Sequence, residues 1–212
     1  MTISHILKQS NYQSFDFLGD VSKDSNSGRK YHLSQLDDYP VKGKYCLDVG
    51  CNAGYFLFRL LEKEPALLVG IDLSPYYIQI AEDLNNHHFK SSLILFYQQD
   101  IFDWNPLISF DLVLCFSTFH YFLEKQPDFL TICHRIIHPK GHLFLEMEQC
   151  PINSIPMVDS SPRIADNKAY HYPNQLMLEK WIENKFRIDF SVPSVRQGGS
   201  RYGRVIYRLE RL

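Results

Sequence analysis

Two aspartates and a glycine turn carry the strongest chemical signal in this chain of 212 residues. Segment Tyr45–Asp72 has the pattern of a buried strand, the turn GCNAG (residues 50–54), a helix and a second apolar strand that ends at Asp72. Parallel sheets hold nucleoside-bearing cofactors at such turns, and an acid at the next strand tip binds the ribose. Asp72 lies 18 residues after Gly54, close to the ~20 expected for that acid.

The residues around the turn indicate what kind of group it could hold. Dinucleotide sites use the pattern GxGxxG, in which glycines let a pyrophosphate approach a helix N-terminus. Here Asn52 replaces the second glycine, and Asp48 precedes Gly50 by two residues. A carboxylate there would repel a pyrophosphate but suits a cationic ammonium group, so a nicotinamide-dependent oxidoreductase is disfavoured. The alternative is that Asp48 and Asp72 only cap helices.

The remaining pattern predicts the elements that position this turn. Apolar runs at Leu93–Tyr97, Phe110–Phe116 and His142–Glu146 are typical of buried parallel strands, and Asp128–Ile137 is an amphipathic helix. We therefore expect an α/β fold: a single-domain, Rossmann-like, seven-stranded and mostly parallel sheet with helices on both faces.

The two ends of the chain differ from this alternating pattern. Residues 1–40 are predicted to form an N-terminal arm or lid, followed by the domain at residues 41–212. Pro151–Pro173 is proline-rich, which favours a loop or lid. A helix at Gln175–Lys185 and strands at Phe186–Val192 and Arg204–Leu209 should follow, the two strands pairing antiparallel.

Five elements in order resemble the class I S-adenosylmethionine-dependent methyltransferases over residues 44–146. They are the LDVGCNAG turn, the GID strand end, QQDIFDW, FDLVLCFSTFHY and RIIHPKGHLFLE. The resemblance implies that S-adenosylmethionine is the cofactor. It assigns the methionine part to Asp48 and to the turn residues Gly50, Cys51, Asn52 and Gly54, the ribose to Asp72, the adenine to Leu73, Asp100 and Ile101, and the sulfonium side to Phe116. From base rates alone, Asp100 could be a plain turn residue and Phe116 a core residue.

Candidate catalytic and acceptor-binding residues follow the fourth and fifth strands. His120 could act as a general base beside Tyr121, although a structural histidine is the common alternative. Glu146 and Glu148 could bind an amine or orient a hydroxyl, and only one is expected to face the cleft; solvated rim acids are the alternative.

A second, narrower resemblance is to the methylphosphate capping enzymes, which methylate the 5′-terminal phosphate of certain RNAs. It rests on the GCN form of the turn, on Gly28-Arg29 and on YGRVIY at residues 202–207. It implies that Arg29 binds the cofactor carboxylate under an arm aromatic, Tyr12 or Phe15. Arg204, in an arginine-rich last segment, would bind a phosphate or carboxylate, or else lie on a solvated edge hairpin. The chain departs from that subgroup after the fourth strand, where it has Phe119-His120-Tyr121.

Composition limits the kinds of partner that the protein is expected to bind. A formal net charge of −2 disfavours a large nucleic-acid-binding face, without excluding a local basic site. The five cysteines fit reduced apolar residues of a cytoplasmic protein, and no CxxC or HExxH pattern indicates a metal. No membrane-spanning run or export signal is expected.

These observations together predict an enzyme that transfers a methyl group to O or N of a small polar metabolite. Two alternatives stay open: methylation of an RNA 5′-terminal phosphate, and a non-catalytic cofactor-binding module.

Overall fold

The computed structural model describes residues 15, 18, 34–150, 157–159, 170–194 and 203–212. The chain divides into two compact units, with the boundary between Asn105 and Pro106. Seven strands form one sheet with the order β3-β2-β1-β4-β5-β9-β8, and β6 pairs with β7 in a separate two-stranded sheet. In chain order the strands are β1 Tyr45–Val49, β2 Leu67–Asp72, β3 Ile94–Gln98, β4 Phe110–Cys115, β5 Ile137–Gln149, β6 Met157–Asp159, β7 Tyr170–Tyr172, β8 Phe186–Pro193 and β9 Gly203–Arg211.

Four α-helices with described bounds alternate with these strands: α1 Tyr55–Leu60, α2 Pro75–Leu84, α3 Gln126–Ile136 and α4 Gln175–Ile182. Residues 34–36 are also helical. The residues Ser74-Pro75 start α2: Ser74 is the N-cap and Pro75 is the first helical residue. Asn174 caps α4 by accepting a hydrogen bond from the Met177 amide at 3.0 Å.

The first unit contains a parallel ladder in which β2 lies between β1 and β3. β1 and β2 are mostly buried, as strands of parallel sheets generally are, and this burial explains their apolar sequences. Helix α1 packs closely against this ladder: a Cβ on Gly70 of β2 would lie 2.8 Å from side-chain atoms of Leu57 and Phe96.

The second unit combines one parallel strand pair with an antiparallel extension. β4 pairs parallel with β5, whereas β9 pairs antiparallel with both β5 and β8. The sheet therefore has three parallel and two antiparallel pairs among those whose register is described, which confirms the predicted mostly parallel sheet. The predicted hairpin between the last two strands is also confirmed.

Two regions differ most from the sequence expectation. β5 runs from Ile137 to Gln149, well beyond the predicted His142–Glu146. Its start pairs with Phe110 of β4, and its end pairs with β9 as far as Gln149 and Gly203. Within the predicted loop Pro151–Pro173, the described residues form β6 and β7. The predicted division at residue 40 stays a prediction.

Candidate functional site

The predicted turn is held open by left-handed backbone at three positions. Gly50 has φ 74°, Asn52 has φ 51° and Gly54 has φ 85°. The amides of Gly50 and Cys51 both donate to the Ile71 carbonyl, at 2.9 and 3.0 Å, so the turn is anchored on β2. Asparagine tolerates this conformation better than most residues, which explains how the turn forms without its middle glycine.

Asp72 connects the turn to the helix that follows β2. One carboxylate oxygen accepts from the Asn52 amide at 2.9 Å, and the other accepts from the Ser74 amide at 2.9 Å. The residue is only partly buried. Each carboxylate oxygen can accept more than one hydrogen bond, so capacity remains for hydroxyl donors.

Asp48 is a buried carboxylate with an unsatisfied oxygen. Its exposed fraction is 2%, and no donor in the described part of the chain lies within hydrogen-bond distance of its Oδ2. Burial, with a smaller effect of the nearby Asp72 charge, raises the pKa of Asp48 to about 8. A cationic ligand group beside this oxygen would supply the missing partner. This unsatisfied acceptor therefore fits the ammonium group of an amino-acid-bearing cofactor.

The predicted adenine-binding residues lie at the ends of β2 and β3 in the same unit. Asp100 accepts a hydrogen bond from the Phe102 amide at 2.9 Å, and Ile101 is buried. Leu73 is 66% exposed, which leaves its side chain accessible to a planar apolar group. The roles predicted for these residues stay predictions.

Two of the predicted cofactor contacts lie in or near the N-terminal segment. Arg29 and Tyr12 lie outside the described residues. Phe15 is described and fully buried, with ring centroids 5.9 Å from Tyr55 and 6.4 Å from Phe58.

In the second unit, the segment after β4 holds the candidate base. His120 is 5% exposed, and its ring centroid lies 4.2 Å from that of Tyr121, which is 40% exposed. Both belong to the 3₁₀ segment Phe119–Lys125. Phe116, predicted to face the sulfonium, is buried with 5% exposure. The roles expected for these three residues stay predictions.

Glu146, Glu148 and Arg204 form a buried ionic cluster. Arg204 Nη1 lies 3.3 Å from Glu146 Oε2, and Nη2 lies 3.6 Å from Glu148 Oε2. The expectation that only one glutamate faces inward is wrong, because residues two apart on a strand share a face. The alternatives of a solvated rim and a solvated edge hairpin are also wrong for these three residues, which are 1–7% exposed.

Two serines that the sequence did not indicate complete this cluster. Ser117 donates to Glu146 Oε2 from its amide at 2.9 Å and from its hydroxyl at 2.7 Å. Ser194 donates to Glu146 Oε1 at 2.8 Å. Ser117 has φ 55°, so Glu146 fixes an unusual backbone conformation directly after β4. No local pattern marks either serine, because both partners are distant in sequence.

A separate cluster on the antiparallel strands contains His142, Asp189 and Glu210, whose ligand atoms lie within 4.8 Å of one another. Asp189 and Glu210 already contact three cationic side chains: Lys140, Arg187 and Arg208. Burial lowers the pKa of His142 despite its contact with Asp189 at 3.0 Å. We interpret this cluster as a salt-bridge network.

In the described part of the chain, no helix has the length and apolar character needed to cross a membrane.

Comparison with known proteins finds similarity to methyltransferases. A family model described as a methyltransferase domain matches residues 47–145. A tRNA U34 carboxymethyltransferase from Helicobacter pylori is 27% identical over 161 residues, which is 74% of this chain and 60% of that protein. The chain thus spans about 60% of the length of that curated relative.

Solved structures share the fold at low identity. An S-adenosylmethionine-dependent methyltransferase from Mesorhizobium loti matches with a TM-score of 0.71 and 17% identity, covering 86% of this chain and 97% of that one. The N-methyltransferase NodS from Bradyrhizobium japonicum, solved with S-adenosylhomocysteine, matches with a TM-score of 0.67 and 16% identity over 98% and 97%. In its fold, in its methyltransferase-domain match and in its curated relatives, this chain is similar to the class I S-adenosylmethionine-dependent methyltransferases.

Proposed function

We propose that the first unit binds S-adenosylmethionine at the carboxyl ends of β1, β2 and β3. The observation that carries this proposal is the buried, unsatisfied oxygen of Asp48 beside a turn that Asp72 braces. Asp48 would bind the ammonium group, and Gly50, Cys51, Asn52 and Gly54 would line the methionine part. Asp72 would accept from the ribose hydroxyls.

The adenine would lie on exposed Leu73, with its amino group donating to Asp100 near the Ile101 amide. Phe116 would contribute on the sulfonium side, and Arg29 would bind the cofactor carboxylate. When bound, S-adenosylmethionine supplies an activated methyl group on a positively charged sulfur. The protein then needs mainly to hold the acceptor atom at attack distance and to exclude water.

We infer that the acceptor is a nucleotide in RNA. This inference rests on the relatives named tRNA U34 carboxymethyltransferase, which align with 74% of the chain. An RNA acceptor differs from the small polar metabolite that the sequence led us to expect. It also includes more sites than the 5′-terminal phosphate that was the alternative. His120 would remove a proton from the acceptor where one must be lost, and exposed Tyr121 would contact the base.

A small polar metabolite is the second candidate, favoured by the formal net charge of −2. Proteins that hold RNA through phosphate contacts release counterions, so their binding weakens steeply as salt rises. A small-metabolite enzyme should show little salt dependence over the same range. Salt dependence therefore separates the two candidates.

The experiment incubates the protein with labelled methyl donor and separate tRNA, metabolite and protein fractions at about 50 and 200 mM salt. We expect label in tRNA, lower incorporation at the higher salt, and much lower incorporation with Asp72→Ala. Mass spectrometry of the labelled nucleoside identifies which nucleoside of the tRNA carries the methyl group. Label only in the metabolite fraction, unchanged by salt, would contradict the RNA proposal and leave the cofactor site intact.

A further inference from the structure

Strand β3 carries an exposed apolar stripe that the cofactor site does not use. Leu93, Leu95 and Tyr97 are 40%, 41% and 45% exposed, whereas Ile94 and Phe96 between them are buried. Alternation along a strand places the three exposed side chains on one face. The nine residues 91–99, SSLILFYQQ, contain no charge and no proline.

The backbone of β3 can pair on its second edge. The Leu93 carbonyl accepts from the Leu68 amide at 2.7 Å, and the Gln99 amide donates to the Asp72 carbonyl at 3.0 Å. Odd-numbered residues therefore direct their peptide groups towards β2, and Ile94 and Phe96 direct theirs the other way. Within the described residues, β3 is the last strand at this end of the sheet. Natural proteins usually protect such an edge with charges, prolines or bulges.

We propose that two copies of this chain pair antiparallel through β3, about a two-fold axis that passes through Leu95. In this register Ile94 exchanges backbone hydrogen bonds with Phe96 of the second copy. The peptide groups of both residues point away from β2, as this pairing requires. Leu95 faces Leu95, and Leu93 faces Tyr97, so the exposed stripe is complementary to itself. An isologous contact of this kind closes as a dimer.

The apolar stripe selects this register, because only an axis at Leu95 pairs its three exposed side chains with one another. Shifting the axis to Ile94 places Tyr97 opposite Ser91, and shifting it to Phe96 places Leu93 opposite Gln99. The interface is independent of the proposed acceptor and of cofactor binding.

Site-directed cross-linking gives the sharpest test. Leu95 would form a non-hydrogen-bonded pair with itself, with Cα atoms about 4.5 Å apart, inside the range of a disulfide. All five native cysteines are buried, so background cross-linking should be low. We expect Leu95→Cys to form a covalent dimer under mild oxidation, and Leu107→Cys, at a fully exposed position outside β3, to form none.

Sedimentation of the wild-type chain supplies the second measurement. We expect twice the mass of 24.9 kDa at micromolar concentration. Leu95→Lys places like charges on the axis and should weaken dimerisation by about tenfold or more, whereas Leu107→Lys should not. A monomeric wild-type chain would overturn the proposal. So would a dimer that Leu95→Lys leaves unchanged and Leu95→Cys does not cross-link.

Discussion

Asp48 combines burial with a missing hydrogen-bond donor, which is costly for a carboxylate. Its folded-state pKa of about 8 lies above the ordinary 3.8, so the folded chain holds a proton that the unfolded chain releases. Stability from this group is therefore lost as pH rises from about 4 to 8. A protein can retain a residue that lowers its folding stability in this way if the residue binds a ligand.

Replacing this carboxylate should separate stability from binding. Without cofactor, we expect Asp48→Asn to exceed the wild type in free energy of unfolding by a few kcal/mol at pH 8, with the difference vanishing near pH 4. Denaturant unfolding at both pH values measures it. Asp38→Asn, at an exposed acid, should show neither effect. An Asp48→Asn protein that is less stable at pH 8 would contradict this reading.

At the residue scale, the sequence was informative where backbone geometry restricts the residue type. The turn was expected from its glycines, and Asp72 was expected from its spacing. The positive φ of Gly50, Asn52 and Gly54 explains why glycine and asparagine occur there. Ser117 and Ser194 were not predicted. Their contacts with Glu146 join residues 29 and 48 positions apart, and no local pattern encodes such pairs.

At the scale of elements, Gly54 allows α1 to approach β3. A Cβ at this position would lie 2.8 Å from Phe96 and 3.0 Å from Phe58. We expect Gly54→Ala to lower the free energy of unfolding by about 2–4 kcal/mol, from left-handed strain plus steric overlap.

Gly43 provides a matched control for Gly54→Ala. Its φ is 71°, but a Cβ there meets nothing within 4 Å. Gly43→Ala should therefore cost only the backbone term, about 1–2 kcal/mol. Thermal or denaturant unfolding of both variants compares them. Equal losses would show that the space beside Phe96 is not limiting.

The link between β4, β5 and β9 depends on Glu146. Glu146→Ala leaves Arg204 buried without its nearest carboxylate and should cost about 3–5 kcal/mol in unfolding free energy. Exposed Glu179→Ala should cost less than about 0.5 kcal/mol. Urea denaturation measures both. A loss of similar size in the two variants would mean that the cluster does not stabilise this unit.

Elements were predictable where burial alone determines them. β4 is a continuous apolar run, and its predicted bounds, Phe110–Phe116, differ from the observed ones by one residue. β5 was predicted too short, because its outer residues are set by pairing with β4 at one end and β9 at the other, which local hydrophobicity does not report. β6 and β7 were missed because each has three residues and, among the described strands, pairs with the other.

For the whole molecule, the methyltransferase class followed from the order of motifs, and fold and domain match agree with it. The identity of the methyl acceptor did not follow from these motifs. Net charge is a property of the entire surface, and −2 says little about a local RNA contact. Groups that meet the acceptor depend on tertiary placement, as the burial of Glu146, Glu148 and Arg204 illustrates.

Calorimetric titration with S-adenosylhomocysteine tests the central claim most directly, namely that the Asp48–Asp72 turn binds the cofactor. We predict saturable one-to-one binding by the wild type and an affinity at least about tenfold weaker in Asp72→Ala, since charged hydrogen bonds to the ribose are lost. Asp38→Ala should bind like the wild type. A folded wild-type protein that gives no binding heat and no rise in melting temperature would contradict the claim.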